Sequence, residues 1–103
     1  MILVYETDPT LLHLRCLILE RATRRDVKSV ATGQEVRLEL ERKDRQYSLL
    51  FICHTVPSMA RVAAHELGQE KGIHVYELER LAPPDQWAAD ISRMLEPARE
   101  FSR

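Results

Sequence analysis

Apolar residues in this chain fall into two alternating kinds of run. Ile2 to Tyr5 is short and unbroken, the pattern of a strand buried on both faces. Asp8-Pro9-Thr10 interrupts it; Asp8 or Thr10 suits a helix cap and Pro9 a first turn. Leu11, Leu14 and Ile18 then repeat on one helical face, with Leu12, Cys16 and Leu19 beside them, and the spacing predicts a helix that ends near Arg24. Val27 to Ala31 reads as a weaker second strand. After a turn at Thr32-Gly33, the segment from Gln34 to about Lys43 is amphipathic, with Val36 and Leu40 on one side. Tyr47 to Cys53 is the most apolar run and so the central third strand. His54 to Pro57 is a loop. Ser58 is the predicted cap of a third helix whose inward residues are Met59, Val62, Ala63 and Leu67, running to Lys71 unless Gly68 ends it early. Gly72 marks a turn, and Ile73 to Leu78 a fourth strand. Pro83-Pro84-Asp85 opens a last helix with an inward stripe of Trp87, Ile91 and Leu95, flanked by Ala88 and Met94; Pro97 closes it.

Four strand–helix units in succession imply a parallel sheet, because each crossover must return through a helix. Right-handed crossovers place helices on both faces. The expected organisation is one domain over residues 1–97 with a frayed tail at 98–103. Ligands of such sheets bind beyond the carboxyl ends of the strands where the winding reverses, which gathers Glu6, Thr7, Asp8, Cys53, His54 and Thr55 into one candidate pocket.

Composition narrows the function classes. With 103 residues, 45 % of them apolar, the chain has enough for one core and not two. A formal net charge of −1 argues against tracking nucleic-acid phosphates. Arg24 and Arg25, with Arg15 and Arg21 nearby, form a local basic patch that reads as a solvated helix end. No apolar run approaches the roughly 18 residues needed to cross a bilayer. Met1 leads directly into the first strand, with no basic leader or cleavage site. Cys16 and Cys53 are therefore expected as reduced, buried thiols of a cytoplasmic protein and not as a disulfide.

Four stretches in order resemble a response-regulator receiver domain: Ile2-Leu3-Val4 with Asp8-Pro9, Leu11-Leu12 through Leu19-Glu20, Ala31-Thr32-Gly33-Gln34-Glu35, and Val56-Pro57-Ser58-Met59. The resemblance spans Ile2 to about Val62. It implies a flavodoxin-like α/β/α fold with a parallel sheet of about four strands in the order 2-1-3-4, one unit shorter than a typical receiver. Either the last unit is missing, or the segment from Pro84 to Leu95 matches the family's last helix and an internal unit is missing. The second register puts Arg80 near the family's phosphate-contacting lysine.

The departures from the family fall on its chemistry. The resemblance sets Glu6 and Thr7 on the acidic pair that holds magnesium, with Asp8 one position beyond, and Cys53 on the phosphoacceptor aspartate. An aspartyl phosphate needs a carboxylate nucleophile and a hard cation held by several oxygens, and a thiol is a poor magnesium ligand. The expected function is thus a degenerate receiver that signals through protein–protein contact, without a metal or cofactor, a membrane anchor or direct nucleic-acid binding. Its shortened second half predicts an interface, a homodimer or a docked partner, on Ile73 and Val75 of the fourth strand and Trp87 and Ile91 of the last helix. The competing readings are a phosphotransfer receiver with a displaced acceptor and a redox sensor built on Cys53. A Cys53–His54 catalytic pair is not expected, since neighbouring strand residues face opposite ways, and His13, His54, His65 and His74 lack companions at metal-ligand spacing.

Overall fold

Every strand in the computed structural model, which describes residues 1–79 and 82–95, runs in the same direction. The elements follow one another as β1 (Ile2–Tyr5), α1 (Pro9–Thr23), β2 (Val27–Val30), α2 (Gly33–Glu41), β3 (Leu49–Ile52), α3 (Ser58–Glu70), β4 (His74–Glu77) and α4 (Pro84–Leu95). The sheet order is β2-β1-β3-β4, with Ile2 level with Val27 on one side and Leu49 on the other, and Leu49 level with His74. The central position predicted for the third strand holds: β1 and β3 are buried along their whole length, as strands covered on both faces must be. The expected tail at 98–103, the closing Pro97 and Arg80 lie outside the described residues.

The period-two alternation of a strand divides the interior into two layers. Ile2 and Val4 of β1, with Leu49 and Phe51 of β3, face α1 and α4 and meet Leu19, Trp87, Ala88 and Ile91. Leu3 and Tyr5, with Leu50 and Ile52, face α2 and α3 and meet Val36, Ala64 and Leu67. The Phe51 ring lies between Trp87, at a centroid distance of 5.0 Å, and Tyr76, at 5.7 Å.

Local chemistry explains where the helices begin and end. The Asp8 carboxylate accepts from the Thr10 and Leu11 amides at 2.9 and 3.2 Å, and Pro9 occupies the first turn. Arg24 closes α1 in the left-handed region at φ 57°, its N–H reaching the Glu20 carbonyl at 2.9 Å. Thr32 and Glu35 form a reciprocal capping box, the Thr-x-x-Glu pattern that satisfies two orphan amides at once. Thr32-Gly33, expected as a plain turn, is thus the capped start of α2. Ser58 is not a cap: Pro57 holds that place, without a side-chain bond to the helix, and Ser58 is the first helical residue. Gly68 does not end α3. It is buried beneath β4, and a Cβ there would stand 2.6 Å from Cγ2 of Val75, so the helix keeps a glycine, at about 1 kcal/mol of propensity, to approach the sheet.

Two helices are rotated from the expected setting. On α1 the buried residues are Arg15 and Leu19, with Leu12, Cys16 and Ile18 packed against the core, while Leu14 and Leu17 are 51 % and 40 % exposed. The run Leu11-Leu12-His13-Leu14-Arg15-Cys16-Leu17-Ile18-Leu19 is apolar on every side, so apolar spacing cannot set its rotation; an ion pair made by Arg15, described below, does. On α3 the inward residues are Ala64, Leu67 and Gly68. Met59 and Val62 are 88 % and 58 % exposed, since a closely approaching helix turns its small residues to the sheet. The last helix meets its prediction: Trp87, Ala88 and Ile91 are buried. Trp87 and Ile91 are thereby removed from the expected interface, being 2 % and 0 % exposed inside the chain's own core.

Candidate functional site

The carboxyl ends of β1 and β3 lie side by side, joined by the Cys53 amide on the Tyr5 carbonyl at 3.0 Å, while the Glu6 amide bonds the Val30 carbonyl of β2 at 3.2 Å. Of the residues expected to gather there, Glu6, Thr7, Thr55 and the Asp8 amide are joined by hydrogen bonds, Cys53 turns into the core beside them, and His54 faces a separate groove. Glu6 is wholly buried. One carboxylate oxygen pairs with the Arg15 guanidinium. The other accepts the Thr55 hydroxyl and the Asp8 amide, the latter at 3.1 Å. Thr55 is also tied to the loop after β1: its hydroxyl oxygen accepts the Thr7 amide at 3.4 Å, and its carbonyl accepts the Thr7 hydroxyl at 3.3 Å. Asp8 spends its side chain on the first turn of α1.

Arg15 corrects the sequence reading. It is not part of an exposed basic patch; its side chain is 11 % exposed and its charge is turned inward onto Glu6. A buried carboxylate is tolerated only when its charge is balanced and its lone pairs are used, and the guanidinium, the hydroxyl and the amide together meet that demand. The sequence carried no clear signal for it, since leucines surround this helix and do not mark which side faces the core.

Cys53 is fully buried in the layer shared with α1 and α4. Burial pushes its thiol up to about 12; nearby Glu6 adds to the rise and Arg15 works against it. A thiol so placed is protonated at neutral pH and is neither a ready nucleophile nor a ready redox centre. Cys16, half-buried on the same side of the sheet, is pushed up to about 11, first by burial and then by Glu20. Both thiols are free. His54 does not share the Cys53 environment. It lines a groove of about 550 Å³ with Arg61, Glu77, Leu78 and Glu79, and its Nδ1 is buried without a hydrogen-bond partner among the described residues. His65 lies 2.6 Å from the Glu77 carboxylate through Nδ1, a pairing between α3 and β4 that sequence spacing did not suggest. Among the described residues no three His, Cys, Asp or Glu side chains converge as a metal site.

The expected interface residues on the fourth strand, Ile73 and Val75, are partly buried against the α2–α3 layer, and β4 forms one edge of the sheet. Among the described residues no helix is long and apolar enough to cross a membrane.

Comparison with protein-family models and with curated proteins finds no match. Among solved structures the chain is similar to a de novo designed Rossmann 2x2 fold protein determined by solution NMR, with a TM-score of 0.64 and 25 % identity over 89 % of this chain and 86 % of that one. Together with the parallel β2-β1-β3-β4 sheet, this likeness gives the chain a Rossmann-like α/β fold.

Proposed function

We propose that the chain is a receiver-like signalling module that acts by binding another protein and not by accepting phosphate or catalysing a reaction. The observation that carries this reading is the closed Arg15–Glu6–Thr55 network beside a buried Cys53 thiol at the ends of β1 and β3. In the receiver register, the acceptor position holds sulfur. The retained acid of the cation-binding pair already has a guanidinium as its counter-ion. The remaining acid, Asp8, is occupied in capping α1. Phosphoryl transfer would need a free carboxylate and a hard cation at the same point, and Arg15 fills the role of the positive charge without leaving a coordination site.

The test is incubation with a small phosphodonor and magnesium, followed by intact-mass measurement. The expected outcome is an unmodified chain. A single added phosphoryl group that survives in the native protein and is lost after hydroxylamine treatment would identify an acyl phosphate and refute the reading in favour of a displaced acceptor. A redox role for Cys53 is the weaker alternative, because full burial withholds the thiolate that oxidation requires.

A further inference from the structure

We propose that the groove at the ends of β3 and β4 binds a small zwitterion of the α-amino-acid class. Arg61 takes the ligand's carboxylate, His54 adds a hydrogen bond to it, and Glu79 takes the ammonium group. The site lies outside the Arg15–Glu6–Thr55 network and goes beyond the protein-binding reading.

The topology brings these residues together. His54 follows β3, and Leu78 and Glu79 follow β4. The Leu78 amide on the Ile52 carbonyl, at 2.8 Å, keeps the two strand ends level. Arg61 reaches the same space from the first turn of α3. The groove they line has a volume of about 550 Å³, within the roughly 300–1,000 Å³ of small-molecule sites. It lies off the carboxyl ends of parallel strands, where sheets of this kind present their ligands.

The groove carries opposite charges that do not satisfy one another. Of its three charged residues, Glu77 is already engaged, 2.6 Å from His65. Arg61 and Glu79 form no ion pair with each other or with any other described residue. The Arg61 guanidinium is tied to the Ser58 hydroxyl at 3.1 Å, a bond that steers the charge without neutralising it. Pro57 gives α3 no side-chain cap, so the positive end of the helix dipole adds to the Arg61 side. A lone anion would meet Glu79, and a lone cation would meet Arg61. A ligand with both charges satisfies both residues at once.

His54 sets the polarity at the Arg61 side. Its Nδ1 is buried with no hydrogen-bond partner among the described residues. A neutral imidazole has one N–H. On Nδ1 that proton would be a buried donor without an acceptor, so it belongs on Nε2. The ring is thereby left with a donor to offer the groove, which suits a carboxylate oxygen and not an ammonium group.

The test is a heteronuclear NMR titration of the intact chain with L-alanine, repeated with acetate and with methylammonium, each of which carries only one of the two charges. L-alanine should produce saturable shifts at His54, Arg61, Leu78 and Glu79, with a dissociation constant of about 1 mM or tighter. Acetate and methylammonium should bind at least about tenfold more weakly. Arg61→Gln and Glu79→Gln should each raise the L-alanine dissociation constant by about tenfold, the loss of one charge-assisted hydrogen bond. Glu79 is exposed, so its variant keeps the test valid if Arg61→Gln disturbs α3. Absence of saturable shifts at about 20 mM L-alanine, acetate or methylammonium binding as tightly as L-alanine, or a Glu79→Gln protein with unchanged affinity overturns the proposal. None of these results bears on phosphate acceptance, which the mass measurement decides separately.

Discussion

Replacing Arg15 with methionine isolates the contact on which the candidate site is built. Methionine keeps much of the length of the buried side chain but removes the guanidinium, leaving a wholly buried Glu6 carboxylate with only the Thr55 hydroxyl and the Asp8 amide. Removing one partner of a buried pair typically costs 3–5 kcal/mol, because the other charge stays desolvated. The two surviving hydrogen bonds, of about 1.5–3 kcal/mol each to a charged group at most, already stabilise the native carboxylate and do not compensate for the lost cation. The expected loss is thus about 3 kcal/mol, against a total of about 5–15 kcal/mol for a domain of ordinary stability. Urea unfolding followed by far-UV circular dichroism measures it, with an unchanged m-value as the check that the unfolded state is not what moved. The double variant Arg15→Met with Glu6→Leu should recover most of the loss, since a well-packed apolar replacement of a buried pair is often neutral. A single-variant loss below about 1 kcal/mol, or a double variant worse than the single, would refute the assignment of Glu6 and Arg15 as mutually dependent.

Two further outcomes follow from features of the core. With its thiol pushed up from an ordinary 9.0 to about 12, Cys53 should resist alkylation at neutral pH in the native protein and react on unfolding. The folded chain holds that proton where the unfolded chain releases it, so stability should be full below about pH 9 and fall as pH rises toward 12, as read by urea midpoints; a Cys53→Ala variant with an equally steep alkaline decline would count against this. Gly68→Ala should destabilise by about 1–3 kcal/mol despite alanine's better helix propensity, since the new methyl meets Val75 at 2.6 Å, and adding Val75→Ala should return part of the loss; a stabilised Gly68→Ala protein would show that α3 has room to move.

The fold was legible where one physical demand dominated a segment. Ile2–Tyr5 and Leu49–Ile52 are apolar without interruption because both faces are covered, and the αβ alternation then fixes parallel pairing. The last helix was equally plain, its stripe of Trp87 and Ile91 being unambiguous at helical spacing. The rotation of α1 was not, because its leucines surround the axis and only a long-range partner, Glu6, selects the buried side. The third helix misled for a related reason. Met59 and Val62 are the more hydrophobic residues, but Ala64 and Gly68 fit the narrow gap to the sheet, and local hydrophobicity does not encode a distance between elements. At the site, the cluster of Glu6, Thr7, Asp8, Cys53 and Thr55 followed from topology alone. Its inner wiring depends on Arg15 reaching in from a helix, which is tertiary information.

The two-layered interior also imposes an order of events on synthesis. One layer is complete once α2 and α3 have folded over Leu3, Tyr5, Leu50 and Ile52. The opposite layer waits for Trp87, which is delivered by the last helix onto Phe51. Until that segment emerges from the ribosome, Ile2, Val4, Leu49 and Phe51 are sheltered by α1, with Tyr76 and Leu78 at one side, and the nascent chain carries a greasy half-face that invites chaperones. The sole tryptophan of the protein is thus also its natural optical reporter: its change in emission marks the moment that the second side is sealed.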